Sequence, residues 1–153
     1  MKMYDIHSHL GKTSSGEENT PDDLVRELAA YGVTKVGISS LSGISTRQQN
    51  DLIYKATQAY PEVIMGYGFI NPKDGNALNE VDLCLGSYGF KAIKFHSWKH
   101  GYYPDNVPAL DTILNRIESY GVPVPPPVGP APLCTSYVLI ENNKKKKNNK
   151  YVL

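Results

Sequence analysis

The sequence predicts an α/β chain of parallel β/α units, and three observations lead there. Short apolar stretches rich in β-branched residues alternate with amphipathic stretches at helical spacing. The alternation repeats about every thirty residues, the length of one βαβ step. Three helical stretches also end alike, at Tyr31-Gly32-Val33, Tyr88-Gly89-Phe90 and Tyr120-Gly121-Val122. Glycine suits that place because the residue that closes a helix often needs a positive φ. Units of this kind build a parallel sheet, either doubly wound or closed as a barrel.

Strands are expected over residues 2–7, 33–39, 63–70 and 90–95, with a fifth beginning at Val122. Helices fill the gaps. Thr20-Pro21-Asp22-Asp23 opens the first: threonine caps, proline suits the first helical position, and two acids favour the positive end of the dipole. Leu24, Val25, Leu28 and Ala29 follow as its inward face. The second helix spans 46–59 with Leu52, Ile53 and Ala56 inward. The third, near 76–87, buries Leu78, Val81, Cys84 and Leu85. The fourth starts at Pro108 and turns in Leu110, Ile113, Leu114 and Ile117. A complete barrel takes eight units in about 250 residues, so about four and a half are expected here, as in a truncated chain.

Residues 1–124 are expected to form the partial barrel and 125–153 an irregular or disordered tail. Pro125-Pro126-Pro127 cannot serve as a central strand, because proline donates no ladder hydrogen bond. Beyond it, Lys144 to Lys147 stand between asparagine pairs in a low-complexity run. Such a run suits adenine-rich codons, and either a frameshift or a genuine tail accounts for it.

Composition narrows the function. At 41% hydrophobic and 20% charged, the chain is an ordinary globular protein. A formal net charge of +1 argues against a nucleic-acid surface. No apolar run approaches the roughly 18 residues of a membrane span, and the short, polar N-terminus is no signal peptide. Cys84 and Cys134, fifty residues apart, read as free thiols of a cytoplasmic protein.

The chemistry gathers at strand ends. In Asp5-Ile6-His7-Ser8-His9, strand alternation places Asp5, His7 and His9 on one face. Two imidazoles two residues apart at the carboxyl end of a strand can converge on one ion: zinc, with manganese or iron as alternatives. That end of the sheet is also where barrel active sites lie. In Ala92-Ile93-Lys94-Phe95-His96, Lys94 and His96 share the inward face. A buried lysine needs a partner. Asp5 is the natural one; otherwise Lys94 is modified or faces the metal. His96 suits a supporting or substrate-contacting role better than metal ligation. Trp98 and His100, in the following loop, could line a substrate mouth.

Together, Asp5-Ile6-His7-Ser8-His9-Leu10-Gly11, Thr20-Pro21, Ala59-Tyr60-Pro61, Phe69-Ile70-Asn71-Pro72 and Gly89 to His96 resemble the amidohydrolase superfamily, in the branch that includes decarboxylase-like enzymes. The resemblance covers residues 1–124. It implies a TIM barrel and a divalent metal held by His7 and His9. It also implies metal-dependent hydrolysis of C–N or related bonds in a small organic substrate, or decarboxylation. The family places a further histidine after a Gly-Val-Pro-Val opening, and Gly121-Val122-Pro123-Val124 leads here only to prolines, with the ligand position near Pro127. Its later histidine and catalytic aspartate have no counterpart, so the resemblance implies low or absent activity for this chain. The rival readings are a non-catalytic α/β module that binds a partner or self-associates through open sheet edges, and a complete flavodoxin-like sheet.

Overall fold

The structure is a computed structural model, and it describes residues 3–12, 16–40, 43 and 45–124. Its elements run in the expected order. They are β1 (Met3–Lys12), β2 (Glu18–Asn19), α1 (Pro21–Ala30), β3 (Val33–Ser40), α2 (Thr46–Ala59) and β4 (Ile64–Ile70), followed by α3 (Ala77–Asp82), β5 (Ala92–Phe95), α4 (Ser97–His100) and α5 (Leu110–Ser119). One π-helical stretch, Leu83–Ser87, prolongs α3. The tail expected beyond residue 124, with Cys134, lies outside the described residues.

Strand order decides between the two parallel architectures. The sheet reads β2-β1-β3-β4-β5, and β1, β3, β4 and β5 pair in parallel. A doubly wound sheet reverses direction at a switch point and carries helices on both faces. Here the parallel strands are laid down in sequence order without reversal, so right-handed crossovers put their helices on one face. Two glycines agree. A Cβ on Gly66 would meet Thr57 of α2 at 3.0 Å, and one on Gly68 would meet Cys84 beside α3 at 2.9 Å. The opposite face carries Tyr67, Phe69 and Lys94. These are the β/α units of a barrel of the TIM type.

The helices start as their caps dictate. Thr20 Oγ1 accepts from the Asp23 amide at 3.2 Å, and Ser45 Oγ accepts from Gln48 at 3.3 Å. Gly32, Gly89 and Gly121 all have positive φ, so the Tyr-Gly signature is a true helix ending. The core lies between sheet and helices, built around Val36, Ile38, Ile53, Ile70, Val81, Ile93, Ile113 and Ile117.

Several expectations need correction. β1 runs five residues further than expected, to Lys12, because Gly11 and Lys12 pair antiparallel with Asn19 and Glu18 of β2. The stretch after Phe95 holds the short helix α4 instead of a loop. Ala29 is exposed, since about 100° per residue carries it well round from Leu24. Leu78 is 39% exposed because the inward stripe of α3 is Ala77, Glu80, Val81 and Cys84, at i, i+3, i+4 and i+7. Among the described residues no strand forms at Val122. Pro123 contributes one carbonyl to the free edge of β5, accepting from Ile93 N at 3.4 Å.

Among the described residues no helix is long and apolar enough to cross a membrane. Cys84 is a free, buried thiol whose pKa burial pushes up, so it is inert packing.

Candidate metal centre

β1 and β5 are separated by two strands, yet their side chains meet. His7 Nε2 lies 3.1 Å from His9 Nε2, and the rings stand edge to face with centroids 4.8 Å apart. Lys94, from β5, reaches the same point. Its Nζ is 2.8 Å from His7 Nε2 and 3.4 Å from His9 Nε2. Three nitrogens thus converge over the helix-free face.

Backbone and second-sphere contacts set the imidazoles. His9 Nδ1 lies 3.3 Å from the Ser39 carbonyl and 3.2 Å from Ser39 Oγ. The carbonyl can only accept, so Nδ1 carries the proton and Nε2 keeps its lone pair. This tautomer is the one in which Nε2 can bind a metal. Asn19 Nδ2 donates to the His9 carbonyl at 2.6 Å, tying the end of β1 to β2. Burial first and Lys94 second push the His9 pKa down to about 4, and the same two causes lower His7. Both imidazoles are therefore neutral at neutral pH.

Asp5 corrects one expectation. Its carboxylate does not pair with Lys94; it accepts from His7 N at 2.9 Å and from Ser8 Oγ at 2.5 Å. The cause is a slip in the β1–β3 register between Asp5 and Ser8, which breaks strict alternation and turns the carboxylate onto its own strand. Lys94 is 5% exposed, and its hydrogen bonds run to the two histidines. Burial lowers its pKa to about 8, which still leaves it largely protonated near pH 7.

His96 stands apart from this triangle. Its Nδ1 accepts from the Lys99 amide at 3.3 Å, so it caps α4, and its ring faces Phe69 edge-on at 6.4 Å. His100 packs on Phe69 at 5.0 Å, and its Nδ1 is buried without a hydrogen-bond partner among the described residues. Burial, then Lys99, pushes its pKa down to about 4. Trp98 lies on α4, and its ring is outside the described side chains.

Sequence reasoning missed Ser39, Tyr67 and Phe69. Ser39 was legible in principle, as a polar residue at the carboxyl end of a parallel strand. Tyr67 and Phe69 hold alternate positions on β4 that share a face with Lys94 across the ladder.

The donor set can be tested for a divalent ion on these distances. Two nitrogens each about 2.0–2.1 Å from one ion lie about 3 Å apart when adjacent in its shell, and the observed separation is 3.1 Å. His7 and His9 fit such an ion as two neighbouring ligands. Among the described residues no group of three or more His, Cys, Asp or Glu gathers to extend the set.

An amidohydrolase family model matches residues 5–138. The chain belongs to the amidohydrolase family. No curated protein matches this amidohydrolase in sequence. Solved structures do match it in fold. One is 5-carboxyvanillate decarboxylase from Novosphingobium aromaticivorans, complexed with manganese and 4-hydroxy-3-methoxy-5-nitrobenzoic acid. It is 15% identical with a TM-score of 0.69, over 98% of this chain and 56% of that one. A second is dihydroxybenzoic acid decarboxylase from a Polaromonas species, with manganese and 2-nitroresorcinol, at 15% identity and TM-score 0.65, over 97% and 55%. A third is a probable 2-pyrone-4,6-dicarboxylic acid hydrolase from Acinetobacter baumannii with citric acid bound, at 18% identity and TM-score 0.66, over 99% and 56%. At these identities the likeness is one of fold. This amidohydrolase chain spans little more than half the length of each.

Proposed function

We propose that the chain carries the metal-binding opening of an enzyme that cleaves a bond in a small organic anion, by hydrolysis of a C–N or related bond or by decarboxylation. The observation that carries this reading is the convergence of His7 Nε2 and His9 Nε2 at 3.1 Å, with the His9 tautomer set by Ser39. A divalent ion held there supplies Lewis-acid polarisation of a substrate carbonyl or carboxylate. Manganese in two structures of similar fold supports a divalent ion, with manganese, zinc and iron all compatible with the nitrogen donors.

The chain's own residues do the rest. His7 and His9 offer lone pairs; Asp5 holds the His7 backbone and Ser8 in place. Lys94 brings a positive charge to the same face and suits an anionic substrate oxygen. His96, its Nδ1 committed to α4, supports the site, and α4, which carries Trp98 and His100, is the element proposed to meet the substrate. Decarboxylation stands level with hydrolysis, since the structures of similar fold include decarboxylases and a probable hydrolase, with a carboxylic acid or a phenol bound in each. The protein works in the cytoplasm on this reading. Among the described residues no third His, Cys, Asp or Glu gathers with His7 and His9, and on this reading the 153 residues by themselves turn over slowly or not at all.

The second reading, a module that self-associates, draws on one observation: Met3, Tyr4 and Ile6 of β1 are exposed, Ile6 by 73%.

Metal content of the purified chain, beside a His7→Ala/His9→Ala variant, tests the first reading. Stoichiometric metal lost in the variant is expected. Equal metal in both proteins, or none in either, sinks it. Release of carbon dioxide from hydroxybenzoates, set against hydrolysis of cyclic amides and lactones, then separates the two reactions.

A further inference from the structure

Lys94 stands where a cation belongs. The three nitrogens form a triangle with sides of 2.8, 3.1 and 3.4 Å. With the His9 proton on Nδ1, its Nε2 presents a lone pair to the interior. With the His7 proton likewise on Nδ1, as metal ligation by Nε2 requires, two imidazole lone pairs face each other at 3.1 Å and repel unless a cation stands beside both. An ammonium group has three donors and no acceptor, so it satisfies both nitrogens at once. The placement is costly. Lys94 is 5% exposed, no carboxylate is bonded to it among the described residues, and Asp5 is turned away onto Ser8.

We propose that Lys94 is a built-in competitor of the metal: in the metal-free chain its ammonium group holds His7 and His9 together, and a divalent ion enters only by displacing it. This rests on reading His7 and His9 as the metal ligands. Ammonium and ion cannot share the place, because each needs the same two lone pairs and both are positive. The plug keeps the imidazoles converged before any ion arrives, and it raises the concentration of ion needed to load the site. The displaced ammonium remains beside the ion, free for an anion.

The test is calorimetric titration of the whole purified chain with zinc chloride and with manganese chloride at one pH, in wild type and in Lys94→Met. Methionine keeps the length and apolar stem of lysine without its charge. Metal affinity is expected to rise about tenfold or more in Lys94→Met, from the loss of a like charge at contact distance. Equal or weaker binding overturns the plug and leaves His7 and His9 as ligands. Binding in neither protein overturns the plug and the metal reading together. Wild-type chain labelled with 13C-lysine gives a readout that needs no folded Lys94→Met. The Lys94 Cε resonance, assigned by its loss in Lys94→Arg, should move when zinc is added and stay put in His7→Ala/His9→Ala. A resonance unmoved by zinc overturns the proposal.

Discussion

The carboxamide of Asn50 takes both backbone groups of Phe69: Nδ2 donates to the Phe69 carbonyl at 3.0 Å, and the Phe69 amide donates to Oδ1 at 2.7 Å. The β3–β4 ladder ends at Ile38 and Gly66, and above that point a side chain from α2 replaces the missing strand. The same Nδ2 also donates to Glu80 Oε1 at 2.9 Å, and Glu80 is paired with Arg47 at 2.8 Å. Asn50 is fully buried.

Asn50→Leu should therefore cost about 3 kcal/mol, because it strands two buried backbone groups and takes one donor from Glu80, which keeps Arg47. Urea denaturation measures it. Asn50→Asp should do little better, since a carboxylate accepts but cannot donate to the Phe69 carbonyl. A loss below about 1 kcal/mol would show that water replaces the amide freely.

Gly37→Ala tests the floor under the histidines. A Cβ there would lie 2.0 Å from Tyr67 Oη and 2.2 Å from Cζ, so the hydroxyl end of the Tyr67 ring presses on Gly37. The substitution should cost about 1–3 kcal/mol through overpacking. In the double variant with Tyr67→Ala the clash disappears, so the two effects should be clearly non-additive. Simple additivity in thermal unfolding would place the Tyr67 ring elsewhere.

Much of the fold was open to the eye in the sequence, and particular residues show why. Thr20-Pro21-Asp22-Asp23 marked α1, and the span of α2 agrees at both ends, because capping and glycine chemistry act within four residues. The histidine pair was legible for the same reason, being two residues apart on one strand. What escaped depends on residues far apart in the chain. Nothing local in Asn50 announces that it will complete a strand nineteen residues on. The turn of Asp5 onto Ser8 follows from a slip against β3, which strict alternation cannot foresee. The pairing of β2 with the end of β1 rests on two residues, too few for any periodic signal.

Stability should fall with pH between about 6.5 and about 4. His9 and His100 are both held down to about 4 in the folded chain, against about 6.5 for a solvated imidazole. Across that window the unfolded chain binds protons that the folded chain refuses, so acid favours unfolding. Their contribution is complete above pH 6.5 and gone below 4. Lys94 adds an alkaline arm of the same sign: held to about 8, it should let stability rise between pH 8 and about 10.5. Urea midpoints from pH 4 to 10 check both arms, and His100→Phe should flatten only the acid one.

Thr20→Ala should cost about 1 kcal/mol by removing the cap on α1. The loss should appear in the thermal midpoint and leave the metal content unchanged, since the side-chain hydrogen bonds of Thr20 run to Asp23 in the first turn of α1.

β4 changes partners half-way along its length: Ile64, Met65 and Gly66 bond β3, and Tyr67 to Ile70 bond β5. A strand that hands over in this way lies oblique to its neighbours, and the offset it imposes is the stagger from which a barrel takes its tilt and its girth. Curvature is thus written into the chain at one junction, between Gly66 and Tyr67. Moving that junction by two residues would alter the reach from β1 to β5, and with it the distance Lys94 must cross to touch the histidines.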